Sequence, residues 1–203
     1  MLVPESTSSV PLILDTCVIQ AMGNKNQDKA RAVIEQLREL KKEYSFFISE
    51  VTVFENLQGL WGEKRQKALE TLKRISWKAI TVKVIAFASI LGGLYHEEGV
   101  QSAGLADKII ASTAILLGGS VLTSDHQDFP NPFFKQERLI PVKFKKGLNF
   151  RTYDMSLFKP NNLLIKRILS EKMKLEVKNH VSKGVKDQKT ETSRVNLEIL
   201  KYR

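Results

Sequence analysis

A single cysteine, Cys17, stands in 203 residues. That excludes an internal disulfide and makes a cytoplasmic protein the simplest expectation. Histidine is nearly as scarce, and His96, His126 and His180 lie far apart in the chain. With so few soft ligands, no thiolate-type zinc site can be assembled. Long apolar runs are missing too. Val84–Leu94 and Ile109–Leu117 fall well short of the ~20 residues that a membrane-spanning helix needs. The opening residues, MLVPESTSSV, lack a basic stretch followed by an apolar one, so no signal peptide is expected. Acids are the minority charge, 22 against 32 lysines and arginines, which leaves a net charge of +10 and a pI near 9.6. Such a balance favours a polyanionic partner, nucleic acid before membrane. The 42% hydrophobic and 27% charged content is that of a globular chain able to bury one core of ordinary size.

The most informative stretch is GLADKIIASTAILLGGSVLTSDHQDF, Gly104 to Phe129. Asp107 heads an apolar helix, and Ala111 and Ala114 follow one and two turns later on the same face, where small side chains let a helix approach a sheet. After Gly118-Gly119, Ser120–Thr123 suits a buried strand, and Asp125 and Asp128 come next. In αβ units of this kind the carboxyl ends of the strands gather into the crevice where ligands sit.

The rest of the chain repeats the alternation. Pro11–Leu14 reads as a strand ending in Asp15-Thr16. Asp28 opens an amphipathic helix, and Tyr44–Ile48 is a second buried strand. Ser49 caps a helix running from Glu50 to about Leu60, with Val51, Phe54 and Leu57 inward and Glu55 beside that stripe. A charged helix over Gly62–Ile75, a strand over Ala79–Val84, a helix to Leu94 and a last strand over Leu139–Phe144 complete the pattern. The expectation is a three-layer αβα domain with a mainly parallel sheet over residues 1–150. Residues 151–203 are expected to be a basic extension, helical over about 161–179 with Ile165, Leu169, Met173 and Val177 on one stripe, and flexible thereafter. From Lys159 onward there are twelve lysines and arginines against five acids, so seven of the ten net charges reside there. Such a segment suits either a solvated helix or an arm for nucleic acid or a partner.

Each acid has an ordinary explanation. Asp15 and Asp107 suit helix N-caps, Asp125 and Asp128 suit turns before Pro130, and Glu55 suits an ion pair with Lys64 or Arg65. Taken jointly they say more. A parallel sheet brings Asp15, Asp107 and Asp125 to one edge, where carboxylates raise one another's pKa unless a cation sits between them. Oxygen ligands without imidazole or thiolate suit Mg²⁺ or Mn²⁺. Divalent ions held this way activate water and neutralise charge at a phosphodiester, and the basic excess draws in the polyanion. The residues thus point to a metal-dependent nuclease.

LILDTCVI, ISEVTVFENLQG and the Gly104–Phe129 stretch, in that order and spacing, resemble the PIN-domain ribonucleases, in particular their VapC-like toxin branch. The resemblance spans roughly residues 11–145. It implies that Asp15, Glu55 (four residues before Gly59), Asp107 and Asp125 are the catalytic acids. Asp15, Asp107 and Asp125 would be the metal ligands, Thr16 and Thr123 would stand beside the metal, and Asp128 would be an extra acid. It further implies Mg²⁺ or Mn²⁺ as cofactor, RNA as substrate, an antitoxin protein as partner and a homodimer. The extension after about residue 150 has no counterpart in a minimal toxin.

Other residues fit plainer roles. His126 reads as a loop residue, and Cys17 as a small buried hydrophobe with no histidine near it in sequence. Asp154 reads as a turn acid, and Trp61 and Trp77 as packing or a homodimer surface. Two rival functions stay open: a non-catalytic PIN-like module that docks RNA or a partner through its basic tail, and a phosphatase-like or nucleotide-binding protein using the same acidic pocket.

Overall fold

The computed structural model describes residues 9–100 and 103–171. Val10–Leu14 forms β1, buried on both faces over Leu12–Leu14, with Leu12 and Leu14 toward one core and Ile13 toward the other. Thr16–Met22 (α1) and Gln27–Leu40 (α2) carry the chain back, with Asn26 capping α2 by accepting the Lys29 N–H at 3.0 Å. Next come Tyr44–Ser49 (β2), Glu50–Leu57 (α3), Gly62–Leu72 (α4), Ser76–Lys78 (β3) and Val82–Glu97 (α5). Leu105–Leu116 (α6) and Ser120–Thr123 (β4) lead to a long hairpin of Phe134–Lys146 (β5) and Asn149–Pro160 (β6). A last described helix, α7, covers 162–171.

The six strands form one sheet in the order β3-β2-β1-β4-β6-β5. The first four run parallel, while β6 is antiparallel to β4 and β5 antiparallel to β6. The sheet is therefore mixed but mostly parallel, with helices on both faces. The chain leaves β1 toward β2 on one side and returns to β4 on the other, so the switch point of the topology lies at β1. One core packs α1 and α2 on Leu12, Leu14, Ile48, Leu122 and Leu157. The other packs α5 and α6 on Ile13, Val121 and Phe158, and it includes Ala111 and Ala114, fully buried as their size and spacing lead one to expect.

Four sequence expectations change. Residues 151–160, expected to begin an extension, form most of β6, paired along its length with β5 and at Ser156–Phe158 with β4 as well, so the break at 150 falls within a strand. Their strand character comes from these non-local partners, which no local pattern announces. Ala79–Val84 is not a strand. Thr81 accepts the Val84 N–H and caps α5, and this local bond outweighs the β-branched propensity around it. The strand at Leu139–Phe144 is longer than expected and is not the last. Phe54 does not face inward; it is 65% exposed. Within α7, Ile165 and Leu169 pack on the second core as their four-residue spacing predicts, whereas Met173 and Val177 lie outside the described residues. Trp77 donates its indole N–H to the Leu72 carbonyl, a packing role, while Trp61 is exposed. Among the described residues no helix is long and apolar enough to cross a membrane.

Gly118 and Gly119 join α6 to β4 for two different reasons. Gly118 has φ +64°, a left-handed conformation that ends the helix. Gly119 is needed for space, since a Cβ there would lie 2.4 Å from the Pro11 carbonyl oxygen of β1. Gly119→Ala should therefore cost about 1–3 kcal/mol by forcing β1 and β4 apart, read as a lower urea midpoint; an unchanged midpoint would show that the two strands yield freely.

Candidate active site at the carboxyl edge of the sheet

Asp15 follows β1 directly and does two jobs. One oxygen caps α1, accepting the Thr16 N–H at 2.6 Å. The other accepts the Thr123 hydroxyl at 2.6 Å and the Cys17 thiol at 3.1 Å. At 4% exposure the carboxylate is buried with three donors and, among the described residues, no ion-pair partner. Thr123 ends β4, so the parallel pairing of β1 and β4 sets this contact.

Glu55, on α3, is held by the Thr16 hydroxyl at 2.5 Å. The expected ion pair with Lys64 or Arg65 is not made; Arg65 donates to the Leu57 carbonyl instead. Asp107 lies in the first turn of α6 and accepts the Gly104 N–H at 2.8 Å. A Cβ at position 104 would approach the Asp107 carboxylate to 2.9 Å, so glycine leaves this acid room to turn back on its own helix end. Burial raises the Asp107 carboxyl above its ordinary range; the Gly104 N–H opposes that, and Asp15 and Glu55 add to it.

Asp125 lies in the loop after β4. Its N–H donates to the Thr123 hydroxyl at 2.9 Å and its carboxylate accepts the Gln127 N–H at 3.3 Å, so it is a turn acid as well as a neighbour of the site. The Asp128 carboxyl is pushed up to about 7, first by burial and then by Asp107, Asp125 and Asp15. Acids from the end of β1, from α3, from the start of α6 and from the loop after β4 therefore feel one another across a single rim.

The Asp128 shift has a measurable sign. An acid whose pKa rises on folding holds its proton more tightly when folded, so its ionisation erodes stability as pH climbs from about 4 to about 7. Asp128→Asn mimics the protonated form. Its stability relative to the parent chain should grow across that window, saturate above pH 7, and shrink when Mg²⁺ is added. Urea unfolding at pH 5 and pH 8 measures this, and an equal gap at both values would contradict it.

Among the described residues no three His, Cys, Asp or Glu side chains stand as a ready-made ligand set. The donor chemistry nevertheless fits a hard dication. Mg²⁺ keeps several of its waters and takes only one or two carboxylates directly, so acids spaced around a rim can hold it through water. The repulsion that Asp107 feels from Asp15 and Glu55, and Asp128 from Asp107, Asp125 and Asp15, is what such an ion relieves.

Three contacts were not legible in the sequence. Cys17 is more than a small hydrophobe: its thiol donates to Asp15 and accepts the Ser124 N–H at 3.2 Å. Burial, followed by the Asp15 charge, raises its pKa, so it stays a protonated donor and not a nucleophile. Tyr153, on β6, puts its hydroxyl 3.1 Å from the Cys17 carbonyl and 2.8 Å from the Ser124 hydroxyl, pinning the hairpin to the site. Its position in a stretch that reads as an extension gave no signal. His126 stands 2.9 Å from the Ser156 hydroxyl, bound to β6. Asp154 is an exposed strand residue opposite Pro141, not a turn acid.

Ten chains of solved structures match this fold. One, from the crystal structure of VapBC2 from Rickettsia felis bound to a DNA fragment from their promoter, is 23% identical with a TM-score of 0.50, over 59% of this chain and 90% of that one. At that identity the likeness concerns the fold alone. No curated protein gives a match. The PIN-domain family model matches residues 12–132, from within β1 to just before β5, a span that holds all five acids. The chain belongs to the PIN-domain family.

Proposed function

We propose that this chain is a metal-dependent endoribonuclease that hydrolyses RNA phosphodiester bonds at the carboxyl edge of its sheet. PIN domains are generally nucleases. The observation that carries the reading is the crowding of acids at this rim: burial and the neighbouring Asp15 and Glu55 raise the Asp107 carboxyl, burial and the neighbouring Asp107, Asp125 and Asp15 raise that of Asp128, and no basic side chain is among the causes. Asp15, Asp107 and Asp125 would hold Mg²⁺ or Mn²⁺. Such an ion, when bound, neutralises charge at the phosphodiester and makes water acidic enough to attack phosphorus.

The chain's own groups have distinct tasks in this reading. The Thr123 hydroxyl and the Thr16 N–H fix the Asp15 carboxylate so that it need not reorganise during the reaction. Glu55, steadied by the Thr16 hydroxyl, would orient the attacking water. Asp128, pushed up to about 7, is only partly ionised near neutral pH and would ionise fully when a cation arrives. A toxin role with an antitoxin partner is the setting we propose, on the resemblance of the Asp15, Glu55 and Gly104–Phe129 motifs to the VapC-like branch.

The test is direct. The full chain, incubated with an end-labelled RNA, should yield fragments with Mg²⁺ or Mn²⁺ and none with EDTA. Intact RNA under every ion would reject the reading, as would a chain that hydrolyses small phosphate esters but no RNA.

A further inference from the structure

The β5–β6 hairpin begins where the PIN-domain match ends, at residue 132. Only Ser156, Leu157 and Phe158 of β6 pair with β4, and they do so antiparallel, Ser156 opposite Thr123. The residues before Ser156 therefore continue past the carboxyl end of β4, the edge that carries the acids. From Ser156 to Asn149 is seven residues, a projection of roughly 23 Å at strand rise. Tyr153 anchors the base of this ribbon to Cys17 and Ser124, and the Asn26 side chain donates to the Lys145 carbonyl further out.

One exposed acid, Asp154, lies at its base on the face of Phe150, and beyond it the composition is one-sided. No acid occurs from Arg138 to Tyr153. Lys143, Lys145, Lys146 and Arg151 are all exposed, and none joins an ion pair among the described residues. Phe150 is 73% exposed and Leu148 wholly so. Strand alternation puts Phe150 on the same face of β6 as Phe158, which packs in the α6 core, and α6 carries Asp107. Lys145 is directly opposite Phe150 and Lys143 opposite Thr152, so both lysines share that face. The Lys145 ammonium stands 5.8 Å from the Phe150 ring.

We propose that this projecting ribbon is a binding arm for single-stranded RNA, holding the strand beside the acidic rim. Cations that track a phosphate backbone, interleaved with an exposed aromatic ring on which a base can stack, are the ingredients of such recognition. The argument from charge is also local. An acidic rim repels RNA, and the unpaired cations of the ribbon counter that repulsion alongside it. The inference rests on the nuclease reading for the identity of the nucleic acid, but not on catalysis.

The experiment is equilibrium binding of a fluorescent single-stranded RNA of about a dozen nucleotides to the full chain carrying Asp15→Asn, in EDTA, across a salt series. Replacing Lys143, Lys145, Lys146 and Arg151 together by alanine should weaken binding more than tenfold and flatten the slope of log affinity against log salt by about 3, at ~0.7 per phosphate contact. Phe150→Ala, at an exposed position that leaves folding untouched, should weaken it about 5- to 100-fold while leaving the salt slope alone. Affinities within twofold of the parent in both variants would overturn the proposal. So would duplex DNA binding as tightly as the single strand with Phe150→Ala silent, which would make the ribbon a general polyanion surface. Failure of the nuclease reading is distinguishable: an arm that binds RNA in a wild-type chain that never cuts it leaves the arm standing.

Discussion

Asp15→Asn and Asp107→Asn should each lower metal-dependent RNA cleavage by more than about a hundredfold, beyond the ~10- to 100-fold that losing an outer-shell partner of a metal site costs. The substitution keeps size and shape while removing the charge. The amide oxygen introduced at position 15 would still accept the Thr16 N–H, so α1 should keep its cap. What is lost there is the carboxylate oxygen that now takes the Thr123 hydroxyl and the Cys17 thiol, and with it the negative charge that attracts a dication. At position 107, removing the charge relieves crowding with Asp15 and Glu55, so that variant should unfold at the same urea concentration as the parent or higher. Lost cleavage with retained stability is therefore the expected pair of results. Cleavage undiminished in both variants, measured on a labelled RNA with Mg²⁺ or Mn²⁺, would sink the assignment of these acids.

Leu157→Ala should destabilise the chain by about 2–5 kcal/mol, a large share of the ~5–15 kcal/mol that holds a typical domain folded. Leu157 is 1% exposed and sits opposite Leu122 on one side and Arg138 on the other, with its side chain in the core beneath α1 and α2. The size of this loss separates two views of the chain after residue 150. If those residues were an appendage, truncating one of their side chains would shift the urea midpoint by little. A drop of several kcal/mol is what a central strand requires, and a loss below about 0.5 kcal/mol, the scale of surface substitutions, would mean that the sheet does not depend on β6.

The alternation of strands and helices, the cap at Ser49 and the small residues on α6 could be anticipated from local chemistry, while α2 starts at Gln27, one residue before the expected Asp28, capped by Asn26. That strand ends in a parallel sheet share an edge is what links Asp15 and Asp125 in the sequence. Where reading failed, a non-local partner or a single side-chain bond had overruled the pattern. Thr81 turned a β-branched run into a helix start, and Phe54 left a stripe that its spacing had assigned to the core.

By itself the order of residues determined the family and the broad alternation of strands and helices, because burial periodicity and short motifs are local properties of the chain. Tertiary structure alone decided that Cys17 and Tyr153 brace the rim, that Glu55 answers to Thr16 and not to a lysine or arginine, and that residues after 150 become a strand of the sheet whose outer half, paired with β5, runs on past the carboxyl end of β4. Those outcomes rest on pairings between segments as much as 136 residues apart. No window of sequence contains both partners, so only the folded chain brings them within reach of a hydrogen bond.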